Sequence, residues 1–189
     1  MANEQQEQPT NKLFSGSLLG SAQADPKEIE RIMGAQLKSV HYQAVGRIAA
    51  AWAYFESIID YWLHDAAGID EQTGVCLTAQ MIGPRPRTDA YIALVKHKGA
   101  DKKWYKILED FAKDAQGLGE QRNGAIHDVW DLDEPKTPKR REATARRALR
   151  VLDVHTPTRD LLDLESAIHD LWWRFEMDIA MKISGELPT

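Results

Sequence analysis

Between residues 41 and 66 the side chains Val45, Ile48, Ala49, Trp52, Phe55, Ile59, Trp62 and Leu63 recur at steps of three and four. That spacing lays one apolar stripe along an α-helix. Ala49-Ala50-Ala51 adds high intrinsic helix propensity. A helix over 41–66 is roughly 39 Å long at 1.5 Å per residue, enough to form the central post of a bundle, and Gly68 is placed to end it. Glu56 lies beside the stripe. A carboxylate there is costly to bury unless it meets a partner such as an arginine.

The remaining segments supply helices to pack on that post. Asp25-Pro26 with Glu28 is a helix start, predicting a helix over 26–40. A further helix is expected over 70–82, ending at Gly83-Pro84-Arg85-Pro86, which reads as loop. Thr88 then caps a helix to Lys98, and Gly99 stops it. Asp101 opens the next, with Trp104, Ile107, Leu108, Phe111 and Ala115 on one face. Gly117 and Gly119 are expected to interrupt it, so that a fresh helix begins near Glu120. Polar, proline-bearing sequence follows Trp130, and 146–155 reads as an extended segment hairpinned with 129–132. The last helix, 161–183, turns Leu161, Leu164, Ile168, Leu171, Trp172, Phe175, Ile179 and Ile183 inward. The adjacent Trp172 and Trp173 differ by about 100° on a helix, so one of them belongs at the surface or an interface. The fold class is all-α: a helical bundle with a small extended or hairpin insertion before the last helix. At 189 residues one domain is expected, over 25–186, preceded by a flexible tail over 1–24 rich in Gln, Asn, Ser and Gly.

Composition excludes several classes. With 43% hydrophobic and 28% charged residues, and no apolar run long enough to span a bilayer, no membrane span is expected. No export signal is recognisable, so the cytoplasm is the expected compartment. The single cysteine, Cys76, rules out an internal disulfide and a Cys-rich metal site. A net charge of −5 argues against gripping long nucleic acid by bulk electrostatics. Locally, however, Lys136, Lys139, Arg140, Arg141, Arg146, Arg147 and Arg150 stand against Glu142 alone. Arg140, Arg141, Arg146 and Arg147 are therefore candidate RNA-binding residues, although a charge run of this kind also serves as a solvated face.

The candidate chemistry lies in Arg122-Asn123-Gly124-Ala125-Ile126-His127. A permanently charged guanidinium precedes an imidazole, the side-chain type that exchanges protons near neutral pH. In a regular helix a five-residue step turns through about 140°, so Arg122 and His127 do not point the same way, whereas Asn123 and His127 share a face. A working site is then expected to need a helix start here, with Arg122 in its first turn, or a second copy of the motif from another subunit.

This segment resembles the signature of the HEPN superfamily, in which an arginine, commonly followed by a polar residue such as asparagine, precedes a histidine by four to six positions in a helical bundle. The helix carrying Trp52, Phe55, Glu56 and Ile59, and the closing helix after Thr158, fit that layout. The resemblance implies a metal-independent endoribonuclease built as a homodimer, its two motifs meeting at the subunit interface, with no cofactor. Arg122 and His127, with Asn123, would be catalytic, and Glu56 would orient Arg122. Such a protein would fit phage defence or a toxin–antitoxin pair, with RNA and an antitoxin or other protein as partners. Some members carry a tyrosine two residues after the histidine; here that position is Val129, so the modification chemistry of that variant is not carried over.

Two other readings stand beside it. The dipeptides His64-Asp65, His127-Asp128 and His169-Asp170 allow an HD-type metal phosphohydrolase drawing on His41, His64, Asp65 and Asp128. Against it, His64 and Asp65 are expected to face solvent at a helix end. Six tryptophans also allow a non-catalytic helical interaction module.

Overall fold

The computed structural model describes residues 37–133, 137–144 and 150–187. The predicted tail and residues 26–36 of the helix expected over 26–40 lie outside the described residues. Helix α1 spans Ser39–Ala67 and runs through the predicted periodic segment. It ends at Gly68, whose φ of 69° is the left-handed conformation that lets its N–H reach back to Asp65 O. Helix α2, Glu71–Thr78, is started by Asp70, whose carboxylate accepts from the Thr73 N–H at 3.0 Å and the Thr73 hydroxyl at 2.7 Å.

Helix α3 spans Pro84–His97, which corrects the expectation of a loop at 83–86. Gly83 turns the chain at φ 77°, and Pro84 and Pro86 occupy the first turn, where a missing N–H costs no helical bond. Helix α4 spans Lys103–His127 without interruption, so Gly117 and Gly119 do not break it and no fresh helix begins at Glu120. A glycine costs a helix interior only about 1 kcal/mol relative to alanine, and Gly119 offsets that by letting α4 approach Trp52. A Cβ there would lie 3.2 Å from the indole.

Strands β1 (Val129–Asp133), β2 (Thr137–Thr144) and β3 (Arg150–His155) form an antiparallel sheet in the order β1-β2-β3. The insertion was expected to pair 129–132 with 146–155; instead β2 lies between them, Trp130 opposite Arg140 and Arg140 opposite Val154. Helix α5, Thr158–Trp173, continues through a π-helical stretch, Arg174–Ala180, into α6, Met181–Glu186. Leu171, Phe175, Ile179 and Ile183 are all buried at four-residue steps. Such steps drift by about 40° each on an α-helix, and the wider π turn takes up part of that drift.

The core is the buried set Ile48, Phe55, Ile59, Leu108, Phe111, Ile168, Phe175 and Ile179, from α1, α4, α5 and the π stretch. Phe111 and Phe175 stack at 4.8 Å, and Phe55 meets Phe111 edge-on at 6.1 Å. Ile107, expected inward, is exposed, while Trp173 is the outward member of its pair at 55% exposure. Among the described residues no helix is long and apolar enough to cross a membrane.

Candidate active site

The final turns of α4 carry Arg122, Asn123 and His127, and all three line one cleft of about 500 Å³ with Trp52, Glu56 and the 82–85 segment. Gly119, where α4 packs close against Trp52 and Pro84, lines the cleft too, together with Ile82 and Gly83. Arg122 Nη1 donates to Asn123 Oδ1 at 3.0 Å. The three side chains thus border one cleft on an unbroken helix, with no new helix start at Arg122. Arg122 Nε is enclosed and has no hydrogen-bond partner among the described residues. Neither acid near it in sequence holds it: Glu120 accepts from Gln116, and Asp128 from Arg140. Asn123 and His127 are exposed.

Glu56 lines the same cleft, but the cation it meets is Arg87, at 4.0 Å, not Arg122. Arg87 is 9% exposed and also donates to Asp60 at 2.8 Å, to Gly83 O at 2.9 Å, and to the carbonyls of Met81 and Thr78. One guanidinium thus ties α1 to the turn that lines the cleft. Arg87 is missing from the sequence reading because Gly-Pro-Arg-Pro-Arg, taken as loop, gives no sign that its last arginine points into the protein. The signal that could have found it is Glu56 itself, a carboxylate near an apolar stripe that needs a cation.

A second groove adjoins the first and shares Glu120, Asn123 and His127 with it. Its far wall is β2, where Arg140 Nη1 is bonded to Asp128 Oδ2 and lies 3.8 Å from Glu142. Arg141 points the other way, as alternation along a strand requires, and donates to Asp153 at 3.1 Å. Asp153 is consequently held below the usual carboxylate range, chiefly by that hydrogen bond. Of the candidate RNA-binding residues, Arg140 and Arg141 are therefore engaged by carboxylates, and Arg146 and Arg147 lie outside the described residues.

The residues of the metal phosphohydrolase reading are not brought together. His64 is buried rather than solvent-facing, because α2 folds back and lays Gly74 on its ring, with Thr78 Oγ1 3.4 Å from Nε2. His41 is also buried, with Nδ1 3.2 Å from Thr158 Oγ1 and its ring edge-on to Trp130. Among the described residues no group of three or more His, Cys, Asp or Glu side chains could hold a metal ion. No family model matches the chain, and neither a curated protein nor a solved structure matches it.

Proposed function

We propose that this chain is a metal-independent endoribonuclease of the HEPN type, acting as a homodimer on RNA through Arg122, Asn123 and His127. One observation carries the reading: the three side chains of the motif line a single open cleft, and among the described residues its two carboxylates meet other partners, Glu56 meeting Arg87 and Glu120 meeting Gln116. Cleavage by the 2′-hydroxyl needs a base for that proton, an acid for the departing 5′-oxygen, and positive charge on the crowded phosphorane. His127 supplies a proton-transfer group, worth roughly 10²- to 10⁴-fold. The Arg122 guanidinium supplies forked, permanent charge for the phosphorane oxygens. Asn123 holds Arg122 and faces the same cleft as His127.

One chain offers a single imidazole at this place, and a concerted step uses an acid and a base together. A twofold partner would provide the second. Ile82, which lines the cleft, is 91% exposed, and Val129, two residues beyond His127 in the chain, is 69% exposed. A setting in phage defence or a toxin–antitoxin pair, with a protein antitoxin as a further partner, fits this chemistry.

The test is single-turnover cleavage of a mixed RNA pool in chelator by the wild type, Arg122→Ala and His127→Ala. Cutting by the wild type alone is expected; equal cutting by all three, or none by any, overturns the reading. A non-catalytic interaction module is the second reading, favoured by the aromatic chain of exposed Tyr54, half-buried Trp172 and exposed Trp173, whose rings meet at 5.1 and 5.6 Å. It predicts an inactive oligomer whose mass falls on Trp173→Ala.

A further inference from the structure

His127 is the last residue of α4, and helix ends fray. A proton-transfer group placed there needs its backbone held from outside. The helix's own closing bond and two contacts from the sheet supply that hold. The Asp128 N–H bonds Gly124 O at 3.2 Å, and Trp130 Nε1 donates to Ala125 O at 3.0 Å. The third comes from β2, where Arg140 is bonded to the Asp128 carboxylate next to His127. Arg140 reaches that position only because residue 124 is glycine: a Cβ there would overlap Arg140 Nη1. The register explains why Arg140 is the residue delivered. It stands opposite Trp130, and both side chains turn towards the end of α4, while the neighbouring Arg141 pairs with Asp153.

We infer that Arg140 is a positioning residue for His127, acting through Asp128, and that the three-stranded insertion exists in part to hold the end of α4. The catalytic consequence rests on the proposed ribonuclease reading; the placement of His127 does not. The alternative use of Arg140, as a direct phosphate contact, is disfavoured by its surroundings. Asp128 and Glu142 already meet its guanidinium and leave little charge there for a phosphate.

The test uses the full-length protein with Arg140→Ala, Arg140→Lys, Gly124→Ala and Arg141→Ala. Gly124→Ala displaces only the far end of a flexible side chain, so it removes the Arg140 contact while leaving a better helix former in α4. In histidine-labelled protein, the His127 ring resonance should shift and broaden in Arg140→Ala and Gly124→Ala and stay in place in Arg141→Ala. In RNA cleavage the first two should lose about 10- to 100-fold in kcat at near-constant KM, the cost of a misplaced reacting group. Arg140→Lys, which keeps the charge but not the fork, should recover part of the loss. An unmoved His127 resonance overturns the proposal, as does a rise in KM with kcat intact, which would make Arg140 a substrate contact. If neither the wild type nor any variant cuts RNA, the resonance alone decides on positioning, and only the nuclease reading falls.

Discussion

His41 shows how one side chain couples several elements. It is buried beside Trp130 of β1 and bonded to Thr158 at the start of α5, so α1, β1 and α5 meet on a single imidazole. Burial lowers its pKa below the ordinary 6.5, because the low-dielectric surroundings penalise the charged ring. The unfolded chain therefore takes up a proton at higher pH than the folded one. Stability from this source is complete above about pH 6.5 and is lost as pH falls through the depressed folded value, by at most about 1.4 kcal/mol per pH unit. The carboxylates held low here, Asp70, Asp110, Asp153 and Glu186, act only further into the acid range, below 3.8 to 4.5. Thermal melts between pH 7.5 and 5 should thus show a falling Tm in the wild type and a flatter profile in His41→Phe. Parallel profiles would mean that His41 titrates alike in both states.

At the scale of elements, the glycines of α4 separate what a sequence can show from what packing decides. Gly117 and Gly119 look equivalent in the chain, and each alone is a reason to end a helix. In the fold a Cβ at Gly117 meets nothing within 4 Å, whereas at Gly119 it meets Trp52 at 3.2 Å and Pro84 at 3.6 Å. Gly117→Ala should therefore stabilise by about 0.5 to 1 kcal/mol through the helix alone. Gly119→Ala should lose that gain, because Trp52 is 3% exposed, packs on Phe55 and has nowhere to retreat. Urea midpoints of the two variants measure the difference, and equal gains would show that α4 does not rest on Trp52 as described. The same logic explains which elements were legible. Helices α1, α4 and α5 announce themselves by apolar residues at three- and four-residue steps, and Gly68 and Gly99 mark ends by local chemistry. The first turn of α3 was hidden because prolines that look like breakers are harmless at a helix start. Strand β2 was hidden because Lys139, Arg140, Arg141 and Glu142 carry no apolar alternation; cross-strand bonds and ion pairs hold it. At the candidate site, Arg122, Asn123 and His127 were legible as a motif. The groups that build around them, Arg87 and the Arg140–Asp128 pair, depend on contacts 27 and 12 residues apart in sequence.

For the whole molecule, the question is whether one chain is a complete catalyst. A net charge of −5 gives no general attraction for RNA, and several cations of the described surface are tied to carboxylates: Arg47 to Glu165, Arg85 to Asp89, and Arg174 to Asp114. Recognition by the proposed nuclease must then come from a few placed groups, and each chain contributes one Arg122 and one His127 to its cleft. If two clefts combine across a twofold axis, a mixed dimer of Arg122→Ala and His127→Ala subunits still holds one intact guanidinium and one intact imidazole, on different chains. Each homodimer of a variant lacks one of those groups altogether. The mixed dimer has one imidazole in place of the acid–base pair, so subunits exchanged by mild denaturation and refolding should recover only part of the wild-type RNA cleavage, yet cleavage that neither parent shows, in proportion to the mixed-dimer fraction measured by native mass spectrometry. Mixed dimers that form but remain inactive would mean that a working site needs either both imidazoles together or an Arg122 and a His127 from the same chain.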